Sequence, residues 1–248
     1  MKNMKKKLFS AMIIVFTAAI LAGCAKENEK ENENETATAK SPEDLYRDAV
    51  RDAAFADDDE ILPLVSLVES DSMTTWQDGK VLLLTWHNYP ESYPEGETVT
   101  IQWGPVWVFT DKEIDSHAEE LQNADDAQAR LRQIISFAPD SEHSTVTGLW
   151  VDPENVKRPA YQSDPTIEDM SNSFDEDVDE EFKSWFDENT LWSYFYGEYP
   201  WTRLGYTYDW ADNDTEYGMT EFIVEDGAQV TVEFTETTEE FLDRITND

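Results

Sequence analysis

The chain has 248 residues, of which 55 are Asp or Glu and 18 are Lys or Arg, so its formal net charge is -37 at pH 7. Such a surface repels phosphate backbones, which argues against nucleic acid as a partner. The single cysteine excludes disulfides and thiolate metal sites within the chain. The hydrophobic share of 40%, with nine tryptophans, is sufficient for a substantial core.

The first residues have the pattern of an export signal. Met1 to Lys7 carries four lysines and no acid, and Leu8 to Leu21 is almost wholly apolar. This run is shorter than the about 20 residues that a membrane-spanning helix needs. It ends in Leu21-Ala22-Gly23-Cys24, which resembles the lipobox of bacterial lipoproteins. The resemblance implies a signal peptide over residues 1–23, cleavage before Cys24 and lipid on the Cys24 sulfur. The alternative is an ordinary signal peptide with an incidental cysteine.

The expected anchor places the protein outside the cytoplasm, held to the bacterial cell membrane by its N-terminal lipid. Loss of the leader removes four lysines and no acid, which takes the formal charge from -37 to -41. Residues 24–40, from the lipidated cysteine onward, contain no large apolar side chain, and this predicts a disordered acidic and polar tether. Residues 41–248 are predicted to form one acidic globular domain.

The first half of this domain is predicted to consist of one helix followed by strands. Ser41 and Pro42 indicate the N-terminus of the helix. An Asp78-Gly79 turn indicates a hairpin. Apolar or alternating runs predict four strands, at Ile61–Val68, Val81–Trp86, Val99–Trp103 and Val106–Phe109.

The second half mixes helices and strands. Apolar residues at helical spacing predict helices over Ile114 to Leu121, Ala127 to Ile135 and Val178 to Phe186. Strands are predicted at Thr145–Val151, Thr220–Val224 and Val230–Phe234, the last two joined in a hairpin by Asp226-Gly227. Thr237 and Glu240 form a capping-box pattern before a final helix. Because strands and helices occur in clusters, we predict an α+β domain with a largely antiparallel sheet and flanking helices.

Three segments of the body are similar to an uncharacterised family of bacterial lipoproteins. They are Lys80 to Trp86 (KVLLLTW), Gln102 to Trp107 (QWGPVW) and Pro200 to Trp210 (PWTRLGYTYDW). The resemblance implies the same extracytoplasmic location, and it implies no activity.

No common catalytic motif occurs in the sequence. It has no Gly-x-Ser-x-Gly elbow, no His-Glu-x-x-His, no phosphate loop and no Gly-x-Gly-x-x-Gly. Its three histidines, His87, His117 and His143, stand in unrelated contexts, which argues against a three-histidine zinc site. His87 directly follows an apolar strand and is the histidine we favour for a function. The alternative is a sheet-edge histidine satisfied by local hydrogen bonds.

The acidic segment from 209 to 218 is a candidate calcium site. Asp212, Asp214 and Glu216 alternate, as a loop that converges on a hard cation requires. Asp209 or Glu221 would complete the shell. The segment departs from the EF-hand pattern, since its glycine stands one position late and its twelfth residue is not an acid. In so acidic a chain the spacing also arises by chance, so no cofactor is evident and calcium remains a candidate only.

Aromatic side chains crowd the segment from Tyr194 to Trp210 around a single cation, Arg203. One interpretation is a Trp- and Tyr-rich core in which Arg203 pairs with an acid. The other is an aromatic-lined groove whose rings stack on a sugar or another flat ligand. For the groove, the candidate ligand-binding residues are His87, Trp201, Arg203, Tyr206 and Tyr208.

These features favour a membrane-tethered binding or surface-interaction protein over an enzyme, because no nucleophile–base pair or metal signature occurs. The expected partners are the membrane, through the lipid, and a small molecule, a glycan or an envelope component. Two alternatives remain open. One is a secreted, glycosidase-like hydrolase that uses carboxylates, with or without calcium. The other is a solute-binding lipoprotein of an importer.

Overall fold

An eight-stranded antiparallel sheet lies at the centre of the part of the chain that the computed structural model describes, residues 39–247. Its strands are β1 (Trp76–Gln77), β2 (Lys80–His87), β3 (Thr98–Thr100), β4 (Val106–Thr110), β5 (Thr145–Val151), β6 (Val156–Lys157), β9 (Phe222–Val224) and β10 (Gln229–Thr237). The strands β7 (Tyr206–Tyr208) and β8 (Tyr217–Thr220) form a separate pair. The order in the main sheet is β3-β10-β5-β2-β4-β9-β6, and β1 pairs with β2.

Six α-helices flank the sheet within the described range. They are α1 (Pro42–Asp52), α2 (Asp111–Asp115), α3 (Ala118–Asn123), α4 (Ala127–Ile134), α5 (Glu180–Phe195) and α6 (Thr238–Asn247). The structure thus confirms the predicted α+β domain. Between residues 39 and 247, no helix combines the length and the apolar character that a bilayer span requires.

The predicted signal peptide, residues 1–23, and Cys24 lie outside the described residues. Of the tether predicted over 24–40, the structure describes only the last two residues. Lys40 is one of them, and its Nζ lies 2.7 Å from Oδ2 of Asp48 on α1.

Each strand of the sheet centre buries both of its faces. On β2, Leu82, Leu84 and Trp86 pack with apolar side chains of α2, α3, α4 and α6. Val81 and Leu83 point the other way, into a second cluster that includes residues of β4, β5, β9 and β10. Two-sided burial explains why Val81–Leu84 is a continuous apolar run rather than an alternating one.

Local capping signals set the ends of the helices. Ser41 Oγ accepts a hydrogen bond from the Asp44 amide at 3.2 Å, as expected for an N-cap. At α6 the capping box is complete: the Glu240 amide donates to Thr237 Oγ1 at 3.2 Å, and the Thr237 amide donates to Glu240 Oε2 at 2.9 Å.

The predicted turn at Asp78-Gly79 joins β1 to β2, with φ of 52° and 78°. Both residues have the positive φ that such a turn requires.

The strand predicted at Ile61–Val68 is wrong. This segment has no regular secondary structure and belongs to no sheet within the described chain. Leu64 and Leu67 are buried, and their amides donate to the Glu168 and Pro165 carbonyls at 3.0 and 2.8 Å. Pro63 interrupts the run and cannot donate to a strand ladder, so the apolar residues bury themselves without pairing.

The predicted hairpin over 220–234 is also wrong, although both of its strands occur. β9 pairs with β4 and β6, whereas β10 pairs with β3 and β5. The chain does turn at Asp226-Gly227, but it then bonds to Ile101, whose amide donates to the Ala228 carbonyl at 2.8 Å. Alternation of apolar residues indicates a half-buried strand and carries no information about its partner.

Candidate functional site

The main sheet divides between β2 and β4, and a cavity lies in the division. The two strands pair over only two positions, Leu83 opposite Thr110 and Leu84 opposite Phe109. Beyond these positions β2 continues along β5 to His87, and β4 runs back along β9 to Val106. Residues 85–87 and 105–109 therefore face each other across a gap, and they line a cavity of about 470 Å³.

Aromatic rings form much of the wall of this cavity, which we call the split-sheet cavity. They come from β2, from β4, from α5 and from the segments that follow β2, α4 and α5: Trp86, Tyr89, Tyr93, Trp107, Phe109, Phe137, Trp192 and Tyr199. Trp192, on α5, is 55% exposed and lies where the wall meets solvent. A site of this size with an apolar wall and few polar groups is typical of small-molecule binding.

His87 lines the split-sheet cavity, but its ring nitrogens are engaged within the protein. Its Nδ1 accepts a hydrogen bond from the Tyr89 amide at 2.9 Å, so Nε2 carries the proton and donates to Thr147 Oγ1 at 2.8 Å. Thr147 then donates to Thr235 Oγ1 at 3.1 Å, and Thr235 donates to the Tyr93 carbonyl at 2.7 Å. Each hydroxyl in this series of hydrogen bonds donates once, so the position of every proton in the series is determined.

The environment of His87 keeps it neutral. Burial, and to a smaller extent His143, lowers the pKa of His87 to about 4. Its ring also packs against Tyr93, with the centroids 4.8 Å apart. A neutral imidazole with both nitrogens occupied offers a ligand its ring surface and no free lone pair.

Glu221 is the acidic side chain that lines the split-sheet cavity. It is 3% exposed, and its Oε1 accepts a hydrogen bond from Trp201 Nε1 at 3.1 Å. Within the described residues, no Lys, Arg or His side chain is close enough to Glu221 to form an ion pair. Burial raises the pKa of Glu221 well above its usual value, although Trp201 and Arg158 act against this. Burial also raises the pKa of the neighbouring Tyr199, so its phenol stays protonated.

The aromatic residues proposed from the sequence lie mostly in the core. Trp201 is 1% exposed, and its indole donates to Glu221 and to the Pro159 carbonyl, each at 3.1 Å. Tyr206 is 2% exposed and packs in an apolar cluster with Leu64. Neither side chain lines the split-sheet cavity, and Trp201 is connected to it only by its hydrogen bond to Glu221.

Arg203 and Tyr208 bind the helix α1 region rather than a common groove with His87. Arg203 donates from Nη2 to the Ala54 carbonyl at 2.7 Å and from Nη1 to Tyr161 Oη at 3.1 Å. Tyr208 Oη donates to Asp52 Oδ2 at 2.8 Å. The structure therefore does not gather His87, Trp201, Arg203, Tyr206 and Tyr208 around one cleft.

The four candidate calcium ligands also have different surroundings. Asp209 forms a bidentate ion pair with Arg130, in which Nη1 lies 2.7 Å from Oδ1 and Nη2 contacts Oδ2. Asp212 and Asp214 are exposed. Asp209 is thus committed to a cation of the protein, which leaves it unsuited to hold calcium.

Glu216 instead belongs to a different acidic group. Its carboxylate and those of Asp52 and Glu60 have oxygens within 4.8 Å of one another, and this is the one such group in the described part of the chain. Burial, followed by Glu60 and Asp52, raises the pKa of Glu216 to about 7. Of the three, Asp52 and Glu216 line a hollow of about 580 Å³, together with Tyr208 and Trp210.

Sequence reasoning missed the role of Glu221 and of the rings on β4 and α5. Glu221 stands between Thr220 and Phe222, both fully buried, so its acid interrupts a buried run. A charged residue inside such a run was the available signal. The division between β2 and β4 depends on strand pairing, which no local pattern reveals.

Comparison of the chain with protein-family models, curated proteins and solved structures found no match.

Proposed function

We propose that this protein is a lipid-anchored, extracytoplasmic binding protein that holds a small, largely apolar ligand in the split-sheet cavity. The single observation that carries the proposal is the gap between β2 and β4, which is walled by rings rather than filled by side chains. Protein interiors are otherwise packed to the density of organic crystals. The volume of about 470 Å³ falls in the range of ligand sites.

The anchor proposed at Cys24 suits such a role. A flexible tether of this length has an end-to-end distance of about 20–25 Å, which holds the domain near the membrane without embedding it. The acidic surface is repelled by anionic headgroups, so attachment depends on the lipid. A tethered binding domain of this kind samples ligands that reach the cell surface.

Binding is favoured over catalysis in the split-sheet cavity because its polar groups lack the arrangement that catalysis needs. His87 has no free nitrogen to act as a base. Glu221 is the one carboxyl group among the residues lining the cavity, whereas a glycosidase uses two, about 5–10 Å apart.

A carboxylate-dependent hydrolase is the second candidate function, and a different place in the molecule favours it. In the group of Asp52, Glu60 and Glu216, the raised pKa of Glu216 suits a general acid beside two further carboxyl groups. Tyr208 and Trp210 line the adjoining hollow, and the faces of aromatic rings are suited to stacking on sugars. Turnover of chromogenic glycosides that disappears in Glu216→Gln would support this function.

A blocking substitution tests the binding proposal. Asn189 is half-buried on α5 and lines the split-sheet cavity, so a tryptophan there would fill it. The matched control is Ser184→Trp, on an exposed position of the same helix. In a thermal-shift screen of small molecules against the protein, we expect ligands that raise the melting temperature of the wild type and of Ser184→Trp. Asn189→Trp should lose that response. Equal responses of all three proteins would refute the proposed site.

A further inference from the structure

The chemical character of the split-sheet cavity points to one class of ligand. Building on the function proposed above, we propose that the ligand is a small organic cation, an amine or quaternary ammonium group on an apolar body, whose charge lies between the aromatic wall and Glu221. Three observations support this assignment: the isolation of Glu221, the composition of the wall and the charge of the whole chain.

Glu221 is a buried acid without a cation of its own. It is 3% exposed. Its side chain accepts one hydrogen bond from the described side chains, which Trp201 Nε1 donates to Oε1. The second oxygen, Oε2, accepts none from the same residues. A carboxylate in such a place is costly unless a positive charge pairs with it. A cationic ligand in the cavity would supply that charge.

The buried guanidinium of Arg158, whose charge lowers the pKa of Glu221, forms no ion pair with it. Arg158 is fully buried, and its Nη2 donates to three backbone carbonyls, those of Val65, Pro165 and Ile167. Its guanidinium carbon lies 4.8 Å from the centroid of the Phe222 ring. Arg158 therefore stabilises neighbouring loops and leaves Glu221 without a direct ion-pair partner.

The wall of the cavity suits a cation as well. No lysine or arginine is among the residues that line it, whereas Trp107, Trp192 and Tyr199 are. The faces of such rings attract a cation placed within about 6 Å of their centroids. Rings around a quaternary ammonium group, together with one acid, bind the charge without requiring hydrogen bonds from the ligand.

The charge of the chain acts in the same direction over longer distances. A formal net charge of -37 raises the local concentration of cations and lowers that of anions. Anionic ligands are disfavoured by this field.

The test compares cations with neutral molecules of the same shape. Isothermal titration of the wild type would use tetramethylammonium, choline and benzyltrimethylammonium, with 3,3-dimethylbutan-1-ol as the uncharged counterpart of choline. We expect at least one of these cations to bind, and choline to bind about tenfold or more tightly than its counterpart. Glu221→Gln should weaken cation binding about tenfold or more and leave the neutral molecule unaffected. The control Glu225→Gln removes a half-exposed acid paired with Lys157 and should change neither affinity.

The outcomes separate this inference from the proposed function. If no cation of the set binds, or if choline and its counterpart bind equally, the assignment of a cation is wrong. Should a neutral ligand then still be lost in Asn189→Trp but not in Ser184→Trp, the cavity would remain the binding site. If neither charged nor neutral molecules distinguish those two variants, both proposals fail. The comparison of the two alcohols uses only the wild-type protein, so it does not depend on the folding of a variant.

Discussion

Replacement of His87 should change the pH dependence of stability in a definite direction. The folded-state pKa of His87 is about 4, below the ordinary value of 6.5. As the pH falls through 6.5, the unfolded chain takes up a proton at this position before the folded chain does. The histidine thus favours unfolding progressively between pH 6.5 and about 4, and its contribution is constant outside that window.

The size of the effect follows from the same two values. Each pKa unit is worth about 1.4 kcal/mol, so the full effect at or below pH 4 is about 3 kcal/mol. At pH 5, about 2 kcal/mol of it is expressed. The structural reason is that protonation of Nδ1 would place a hydrogen against the Tyr89 amide, which now donates to that atom.

The assay is urea unfolding of the wild type and of His87→Gln, followed by tryptophan fluorescence from about pH 7.5 to about pH 4. Other groups also titrate in this range. The titration of Glu221 changes the unfolding free energy in the opposite direction, because its pKa is raised. The informative quantity is therefore the difference in unfolding free energy between the two proteins at each pH. We expect His87→Gln to be the less stable protein at neutral pH, by an amount that shrinks as the pH falls. A difference that stays constant with pH would show that the imidazole is not held neutral by its surroundings.

Three further perturbations have measurable outcomes, two of them from contacts in the structure and the third from the proposed lipid anchor. Arg130→Met leaves Asp209 buried without its ion-pair partner and should lower the unfolding free energy by about 3 kcal/mol in urea titrations. Gly218→Ala would place a Cβ 2.0 Å from the Ile134 carbonyl oxygen, so a loss of about 2 kcal/mol or more is expected in the same assay. Cys24→Ser should move the protein from the membrane to the soluble fraction of the producing cells, and mass spectrometry of the wild type should find acyl chains on that cysteine.

Matched variants control for general effects of substitution. Arg51→Met breaks an exposed ion pair with Asp48 and should cost at most about 1 kcal/mol. In Gly197→Ala the new Cβ meets the ring of Trp192, a half-exposed side chain that can move away, so a smaller loss than in Gly218→Ala is expected. If Arg51→Met lowered the unfolding free energy as much as Arg130→Met, burial would not explain the strength of the Arg130–Asp209 pair. A membrane-bound Cys24→Ser protein would refute the lipid anchor.

Features that depend on a few neighbouring residues were predictable from the sequence. The N-cap at Ser41 and the capping box of Thr237 and Glu240 each place a side-chain oxygen beside a helix amide three residues on. The turn at Asp78-Gly79 needs two positive φ values, which asparagine, aspartate and glycine adopt most readily. The α+β class follows because these signals are spaced in clusters of strands and helices.

Features that depend on distant partners were not predictable in the same way. Residues 222–224 and 229–237 have strand patterns, yet each strand pairs with segments more than 60 residues away along the chain. The acidic loop had the spacing of a calcium site, but Arg130 neutralises Asp209 from a helix that is distant in sequence. Glu221 joins a cavity only because β2 and β4 separate. In each case the deciding contact joins residues that are distant in the sequence, and local patterns in a single sequence do not reveal such contacts.

The placement of β10 has a consequence for how the protein is made. This strand, which begins at Gln229, lies between β3 and β5 and supplies the hydrogen-bond partners of both. In a nascent chain that does not yet contain β10, the edges of β3 and β5 that pair with it stay open. The sheet therefore cannot be completed until this strand has been synthesised. Chains truncated before β10 would expose these two edges and would therefore be prone to aggregation and proteolysis.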